Sequence, residues 1–293
     1  HQGRLVFFKM FIWLASYPKS GNTLLRSMLA AYFFSENGIY NFDLIKNIKQ
    51  FPNITLFEKL GIDIKNEKEV VKNYIRVQET FNNKKSVQFL KTHSYLFNIN
   101  NHPFTDLNNS LGTIYIVRDP RNVVTSYANH TNIGLDQASN DLINLTQMGG
   151  NLNKTKGSER TKVFTGNWSG NYNSWKSFKF QDRYLLIKYE DLISEKEKTF
   201  ISVLKFIYRL KKEELKIDVN KLKNVISSTD FSKMKKLEQE VGFFESKVDK
   251  KTGKKIPFFN LGEKNDWNKI LNKEIKNKIE TAFQKEMKEL GYL

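Results

Sequence analysis

The 293-residue chain carries 48 Lys and Arg against 31 Asp and Glu, a formal charge of +17, with 39% apolar and 13% aromatic residues and no cysteine. That length suits one α/β domain with insertions, the apolar share supports a sizeable core, and the absence of thiols excludes disulfides, thiolate metal sites and cysteine nucleophiles. The basic excess fits nucleic acid or an anionic surface, an anionic cofactor, or simply a Lys- and Asn-rich composition spread along the whole chain.

No apolar run approaches the roughly 20 residues that span a bilayer. The run from Leu5 to Ala15 is broken by Lys9 and leads directly into a polar loop, so it reads as a core strand and not a signal segment. The expectation is a cytoplasmic protein without a membrane span. The chain opens on His1, and residues 1–9 read as a non-native or trimmed extension, with Met10 a natural beginning.

Phe11 to Ala15 is rich in strand-forming residues, and from Leu24 to Phe34 the chain is apolar nearly all round, as in a helix buried against a sheet. Between them Pro18, Lys19, Ser20, Gly21 and Thr23 form a short polar turn. A strand, a tight loop and a helix start in that order make an anion site, because the free first-turn N–H groups and the positive end of the helix dipole face the ligand. Gly21 permits close backbone approach, Ser20 and Thr23 add hydroxyls, and Lys19 adds a mobile charge. The ligand expected here is phosphorylated or sulfated.

Residues 35–85 mix helix and loop, with 66–80 reading as one mostly polar helix. Ser86 to Lys91 reads as a strand ending in Lys91-Thr92-His93-Ser94. In an open parallel sheet, functional groups collect beyond the carboxyl ends of the strands, which places Lys91 and His93 at the edge that carries the phosphate loop. Gly112 to Val117 is the clearest strand, and Asp119 and Pro120 then suit the cap and first position of a helix. Arg118 and Arg121 make its start a second anion site. Residues 131–165 read as a long substrate-side loop. Trp168 and Trp175 suit the core, Arg183 to Tyr189 a strand, and 195–223 charged helix. Residues 227–234 read as a capped helix start, 247–255 as a basic hairpin or loop, and the chain from Asp266 as one amphipathic helix. No repeat or linker divides residues 1–293, so one domain is expected, with a central parallel sheet flanked by helices in the manner of P-loop NTPases.

Together these segments resemble the cytosolic-type sulfotransferases that use 3′-phosphoadenosine 5′-phosphosulfate (PAPS), especially bacterial members. Tyr17-Pro-Lys-Ser-Gly-Asn-Thr23 resembles the loop that holds the 5′-phosphosulfate, Lys91-Thr-His93 the catalytic segment, and Arg118-Asp-Pro-Arg-Asn-Val-Val-Thr-Ser126 the 3′-phosphate motif. Tyr189-Glu-Asp-Leu192, Thr229-Asp-Phe231, Gly262 and Asp266-Trp267 match further segments around the nucleotide. The resemblance implies transfer of a sulfuryl group to a hydroxyl or amine, with a small-molecule or glycan hydroxyl as acceptor. His93 would be the general base, with Lys19 and Lys91 as the cations on the transferring group. It implies no metal and no covalent enzyme intermediate. Nucleotide contacts would come from Lys19, Ser20, Gly21, Asn22, Thr23, Leu24, Arg118, Ser126, Tyr189, Thr229, Phe231, Asn260, Leu261 and Gly262.

The chain departs from the family at two places. Leu24 stands where an aromatic residue usually stacks on adenine, and Asn260-Leu261-Gly262 stands where Arg-Lys-Gly often meets the 3′-phosphate, with Lys264 or Lys254 left to compensate. The short dimer motif of many eukaryotic members is not recognisable, which leaves the oligomeric state open. Acceptor choice falls to 35–85, 131–165 and 240–257, which carry no signature. A P-loop kinase or nucleotide binder is the competing enzyme reading, against which stands the lack of G-x-x-x-x-G-K-[ST]. A nucleic-acid binder would need a basic stripe with interleaved aromatics or a reading helix, and none is evident, so no nucleic-acid partner is expected.

Overall fold

The computed structural model describes residues 11–81, 88–148, 162–249 and 252–293. The expectation for residues 1–9 lies outside them. Five parallel strands form the central sheet in the spatial order Lys49–Gln50, Gln88–Thr92, Phe11–Ser16, Ser110–Val117, Tyr184–Lys188. All six residues of Phe11–Ser16 are buried, as a parallel strand covered on both faces requires. Its side chains alternate between two cores. Phe11, Trp13 and Ala15 join Phe51, Phe104, Trp168 and Trp175, whereas Ile12 and Leu14 join Leu25, Leu29, Phe200 and Leu204 from the helices opposite. Trp13 packs 5.1 Å from the Phe104 ring and 6.1 Å from Trp175, and its buried indole N–H donates to Ser110 Oγ at 2.8 Å.

The register places three strand ends together. Ala15 lies opposite Thr92 on one side and Tyr115 on the other, so the segments that follow Ser16, Thr92 and Val117 emerge at one edge. The chain crosses from one side of Phe11–Ser16 to the other between Gln88–Thr92 and Ser110–Val117, which opens the crevice where open α/β sheets bind ligands.

Several segments differ from the sequence expectation in detail. The helix read over 66–80 is two helices, Glu67–Lys72 and Tyr74–Phe81. Asn73 separates them, and its side chain donates to Glu69 O at 2.7 Å, a local bond of the kind that competes with helix continuity. The region 131–165 is not simply a loop, because Leu135–Asn144 is a helix that buries Ala138, Ser139 and Leu142; residues 149–161 lie outside the described residues. The charged stretch 195–223 divides into Lys196–Lys211 and the start of Val219–Ser228. Lys247–Val248 and Lys255–Ile256 pair as a short hairpin. The C-terminal helix is three, Trp267–Ile270, Lys273–Ala282 and Gln284–Glu289, divided where the Asn272 side chain caps the second and at Phe283. Among the described residues no helix is long and apolar enough to cross a membrane.

Candidate functional site

The loop after Ser16 turns through two left-handed residues, Lys19 (φ 66°) and Gly21 (φ 98°), before the helix Asn22–Phe34 begins. Lys19 pays a steric penalty there that glycine would not, a cost met at sites where the backbone must curl around something. Gly21 has no such freedom to change: a Cβ would stand 2.3 Å from the Tyr189 ring. No side chain caps this helix; Leu24 N–H donates to Gly21 O at 3.1 Å, and the N–H groups of Asn22 and Thr23 before it are left without a side-chain cap at the loop. The helix starts two residues earlier than the sequence implied, which puts Asn22 and Thr23 in its first turn. Asn22 donates its amide to Leu14 O at 2.9 Å and Ser16 Oγ at 3.2 Å, tying helix to strand rather than reaching outward.

Cations surround this loop. The Lys19 ammonium sits 4.4 Å over the Phe258 ring. Burial, reinforced by Arg118, Lys247 and Lys91, lowers its pKa to about 7. Arg118 stacks at 4.1 Å on Tyr189 and donates to Lys19 O at 3.2 Å. The Asp119 carboxylate forms a forked pair with Arg121 rather than with Arg118, and Glu190 accepts from the Asp119 N–H. Arg121 is structural: it also bonds Glu280 at 2.6 Å and lies 3.9 Å over Trp267. Asp119 caps the helix Pro120–Thr131 through Arg121 N, with Pro120 in its first turn, as the sequence predicts.

His93 lies across the crevice. Its Nδ1 is 2.8 Å from Ser16 O, an oxygen that can only accept, so Nδ1 carries the proton and Nε2 is left as the basic nitrogen. Burial, then the Lys91 charge, lower the imidazole pKa to about 3, which keeps the ring neutral at physiological pH. The segment is clamped from behind by the helix Trp168–Trp175, where Asn171 donates to His93 O at 2.9 Å and the Trp175 indole to Ser94 O at 3.0 Å. Lys91, also buried, has its pKa lowered to about 8 by desolvation, against an opposing pull from Glu245.

A third wall comes from the last quarter of the chain. Phe231 opens the helix Phe231–Val241 and lies against Gly262 (φ 53°), where a Cβ would come 2.5 Å from the ring. Asn265 is buried between this turn and the 120–131 helix, accepting from Thr125 Oγ1 at 2.5 Å and donating to Asn122 O at 3.0 Å. Asn260 reaches Asn129 at 3.0 Å, so the half-buried Ser126 is bracketed by positions that bond the 260–267 segment. Lys264 and Lys254 are exposed; the cation that touches the Asn260 carbonyl is Lys235, at 3.4 Å. Thr229 is fully buried with its hydroxyl donating to Val225 O, so it builds the turn before Phe231 and does not line the crevice. Leu24 is half-buried and packs against the core on the helix side of the sheet.

Residues 10–291 match the family model described as the sulfotransferase domain. The chain belongs to the sulfotransferase family. No curated protein matches it in sequence. Among solved structures, a mouse sulfotransferase, SULT7A1, complexed with PAP is similar at 17% identity and a TM-score of 0.55 over 95% of this chain and 85% of that one. Retinol dehydratase with androsterone and PAP aligns at 13% identity and 0.48 over 95% and 80%. A sulfotransferase domain of a Synechococcus olefin synthase aligns at 17% and 0.42 over 93% and 94%. The mouse structure supports the shared fold, and the family model carries the membership.

Within this sulfotransferase the contacts gather Lys19, Ser20, Gly21, Thr23, Lys91, His93, Arg118 and Tyr189 around the loop after Ser16, with Phe231 packed against Gly262 and reaching the loop through Phe259, Phe258 and Lys19. Two residues of the same cluster escaped the sequence reading. Glu245 Oε1 accepts from Arg26 at 2.7 Å, and its other oxygen, Oε2, accepts from Thr23 Oγ1 at 3.4 Å and lies 3.8 Å from Lys91. Burial raises the Glu245 carboxyl, but Lys91 and Arg26 outweigh it and hold the pKa at about 2. Arg26 itself carried a signal, since a cation within an otherwise apolar helix needs a buried partner.

Proposed function

We propose that this sulfotransferase moves a sulfuryl group from PAPS to a hydroxyl or amine on a small-molecule or glycan acceptor, with His93 as general base and Lys19 and Lys91 as the cations of the transfer. The observation that carries the reading is the pairing of a capless helix start and its cations with a neutral histidine whose Nε2 is the available base. The loop also fits an anionic nucleotide by its own chemistry: Ser20 Oγ and Arg118 Nε are buried polar atoms with no hydrogen-bond partner among the described residues. Arg118, Ser126 and the backbone at Gly262 would hold the 3′-phosphate, with Lys235 supplying charge at the Asn260–Leu261 turn in place of the family's Arg and Lys. Phe231, Tyr189 and Leu24 would flank the adenine.

PAPS supplies a sulfuryl group already activated by a phosphate leaving group. As the acceptor oxygen bonds to sulfur, the sulfur–oxygen bond to that phosphate breaks and the acceptor proton passes to His93 Nε2. Lys19, held partly deprotonated by burial and its cationic neighbours, gains most from the charge that grows on the departing phosphate. Lys91 would steady the sulfuryl oxygens. That negative charge also offsets the Lys91 field at His93 and raises the proton affinity of the imidazole. The cationic charge available from Lys19, Lys91 and Arg118 leaves no step that requires a metal. We place this enzyme in the cytoplasm and assign it no nucleic-acid partner.

The test compares ligands by thermal shift. Adenosine 3′,5′-bisphosphate should raise the melting temperature by several degrees at saturating concentration and ATP with Mg²⁺ by less. Equal or greater stabilisation by ATP–Mg²⁺ would instead support a kinase-like nucleotide site.

A further inference from the structure

The crevice contains one carboxylate whose place is unexpected for an anion-binding site. Glu245 precedes the Lys247–Val248 strand of the small hairpin, yet its side chain reaches into the donor loop. One oxygen is anchored by Arg26, which is itself fixed by a 3.1 Å bond to Ile48 O. The other oxygen makes two longer contacts, with Thr23 Oγ1 at 3.4 Å and Lys91 Nζ at 3.8 Å, both groups of the candidate donor site. A purely structural ion pair would be complete with Arg26. The second pair of contacts instead sets a fixed negative charge against the same lysine and hydroxyl that a sulfuryl or phosphate oxygen would engage.

We propose that Glu245 is a positioning residue of the donor site, which holds Lys91 and Thr23 in competition with the donor's anionic group and so lowers donor affinity while setting Lys91 for transfer. The inference rests on the PAPS reading of the site. Because Arg26 and Lys91 keep the carboxyl charged throughout the neutral range, the competition operates at every physiological pH. Like-charge repulsion between a fixed carboxylate and a bound anion opposes binding, whereas holding the lysine at one place favours the step that follows.

The experiment titrates adenosine 3′,5′-bisphosphate by calorimetry into the wild type, Glu245→Gln, Lys91→Gln and the double variant, with the unliganded melting temperature of each. Glu245→Gln keeps the side chain's size and should bind the bisphosphate about tenfold more tightly, the size expected from removing one nearby like charge. On the Lys91→Gln background the same change should have a much smaller effect, since the coupling runs through Lys91. Single-turnover transfer of the labelled sulfuryl group from PAPS to an acceptor identified on a panel should at the same time slow by about tenfold in Glu245→Gln. Should that variant fold poorly, Glu245→Asp, which withdraws the charge from Lys91, should shift affinity and rate in the same directions. If the wild type binds the bisphosphate but Glu245→Gln binds it equally or less well, the competition is refuted while the PAPS reading stands. A wild type that prefers ATP–Mg²⁺ would remove both.

Discussion

The backbone carbonyl of Ser16, last residue of the central strand, accepts a 2.8 Å hydrogen bond from His93 Nδ1, which arrives from the neighbouring strand. The candidate phosphate loop and the candidate base are therefore fixed to each other through the sheet. His93→Asn can keep a donor to Ser16 O but has no second basic nitrogen. It should lower transfer by about 10²- to 10⁴-fold, the usual value of a general base, and leave bisphosphate affinity within about twofold. Retention of activity, measured with labelled PAPS across an acceptor panel, would remove the base role.

The half-buried imidazole also makes stability depend on pH. Its folded pKa of about 3 lies below the ordinary 6.5, so the unfolded chain takes up a proton first as pH falls. Stability from this group is complete above pH 6.5 and is lost progressively toward pH 3. Glu245, at about 2 against an ordinary 4.5, adds a loss in the same direction that begins only below pH 4.5. Between pH 6.5 and 4.5 the melting temperature of wild type should therefore fall more steeply than that of His93→Asn, and parallel curves would contradict the assignment.

Nucleotide binding should carry a proton with it. Lys19, at about 7 in the free protein, regains full charge when an anion settles beside it. Calorimetry at pH 8 in two buffers of different ionisation heat should show proton uptake on adding adenosine 3′,5′-bisphosphate, and affinity should weaken from pH 7 to 9. Lys19→Met should reduce the uptake, leaving the part that Lys91, at about 8, contributes.

Arg118→Ala should weaken the 3′-phosphorylated nucleotide more than its 5′-only analogue, because the guanidinium is stacked on Tyr189 without a carboxylate partner among the described residues. Loss of a charge-assisted phosphate contact corresponds to about 1.5–3 kcal/mol. Equal losses for both nucleotides would make Arg118 a support for the Lys19 carbonyl alone.

Gly21→Ala places a methyl group against the Tyr189 ring and leaves a residue in the left-handed region. It should destabilise by about 1–3 kcal/mol and weaken nucleotide binding, read from denaturant unfolding and from the thermal shift with bisphosphate.

Much of this site was legible in the sequence because its physics is local. A strand, two left-handed loop residues and a helix start lie within Phe11 to Asn22, and Asp119 with Pro120 announces the next helix within two positions. Glu245 was not legible, since a single carboxylate in a loop gains meaning only from Arg26, 219 positions away. The helix Leu135–Asn144 was hidden by its composition: Leu135, Ala138 and Leu142 keep helical spacing, but Gly, Asn and Ser around them resemble loop text. Asn73 and Asn272 broke two expected helices through side-chain bonds that periodicity does not register. Thr229 and Asn22 belong to motifs that do surround the crevice, yet both turn their side chains to the backbone that shapes it.

The position of Phe11–Ser16 in the middle of the sheet has a consequence for how the molecule comes into being. The strand has no partner until residues far along the chain arrive: Trp13 waits for Ser110, 97 positions later, and Ser16 for His93, 77 later. Closing such long loops precedes any reward from pairing, which makes assembly slow and leaves an apolar segment uncovered during synthesis. The candidate anion loop precedes in the chain every segment that completes the sheet around it and is among the last to acquire its shape, so shortened chains that stop before Tyr184–Lys188 should show neither nucleotide binding nor cooperative unfolding.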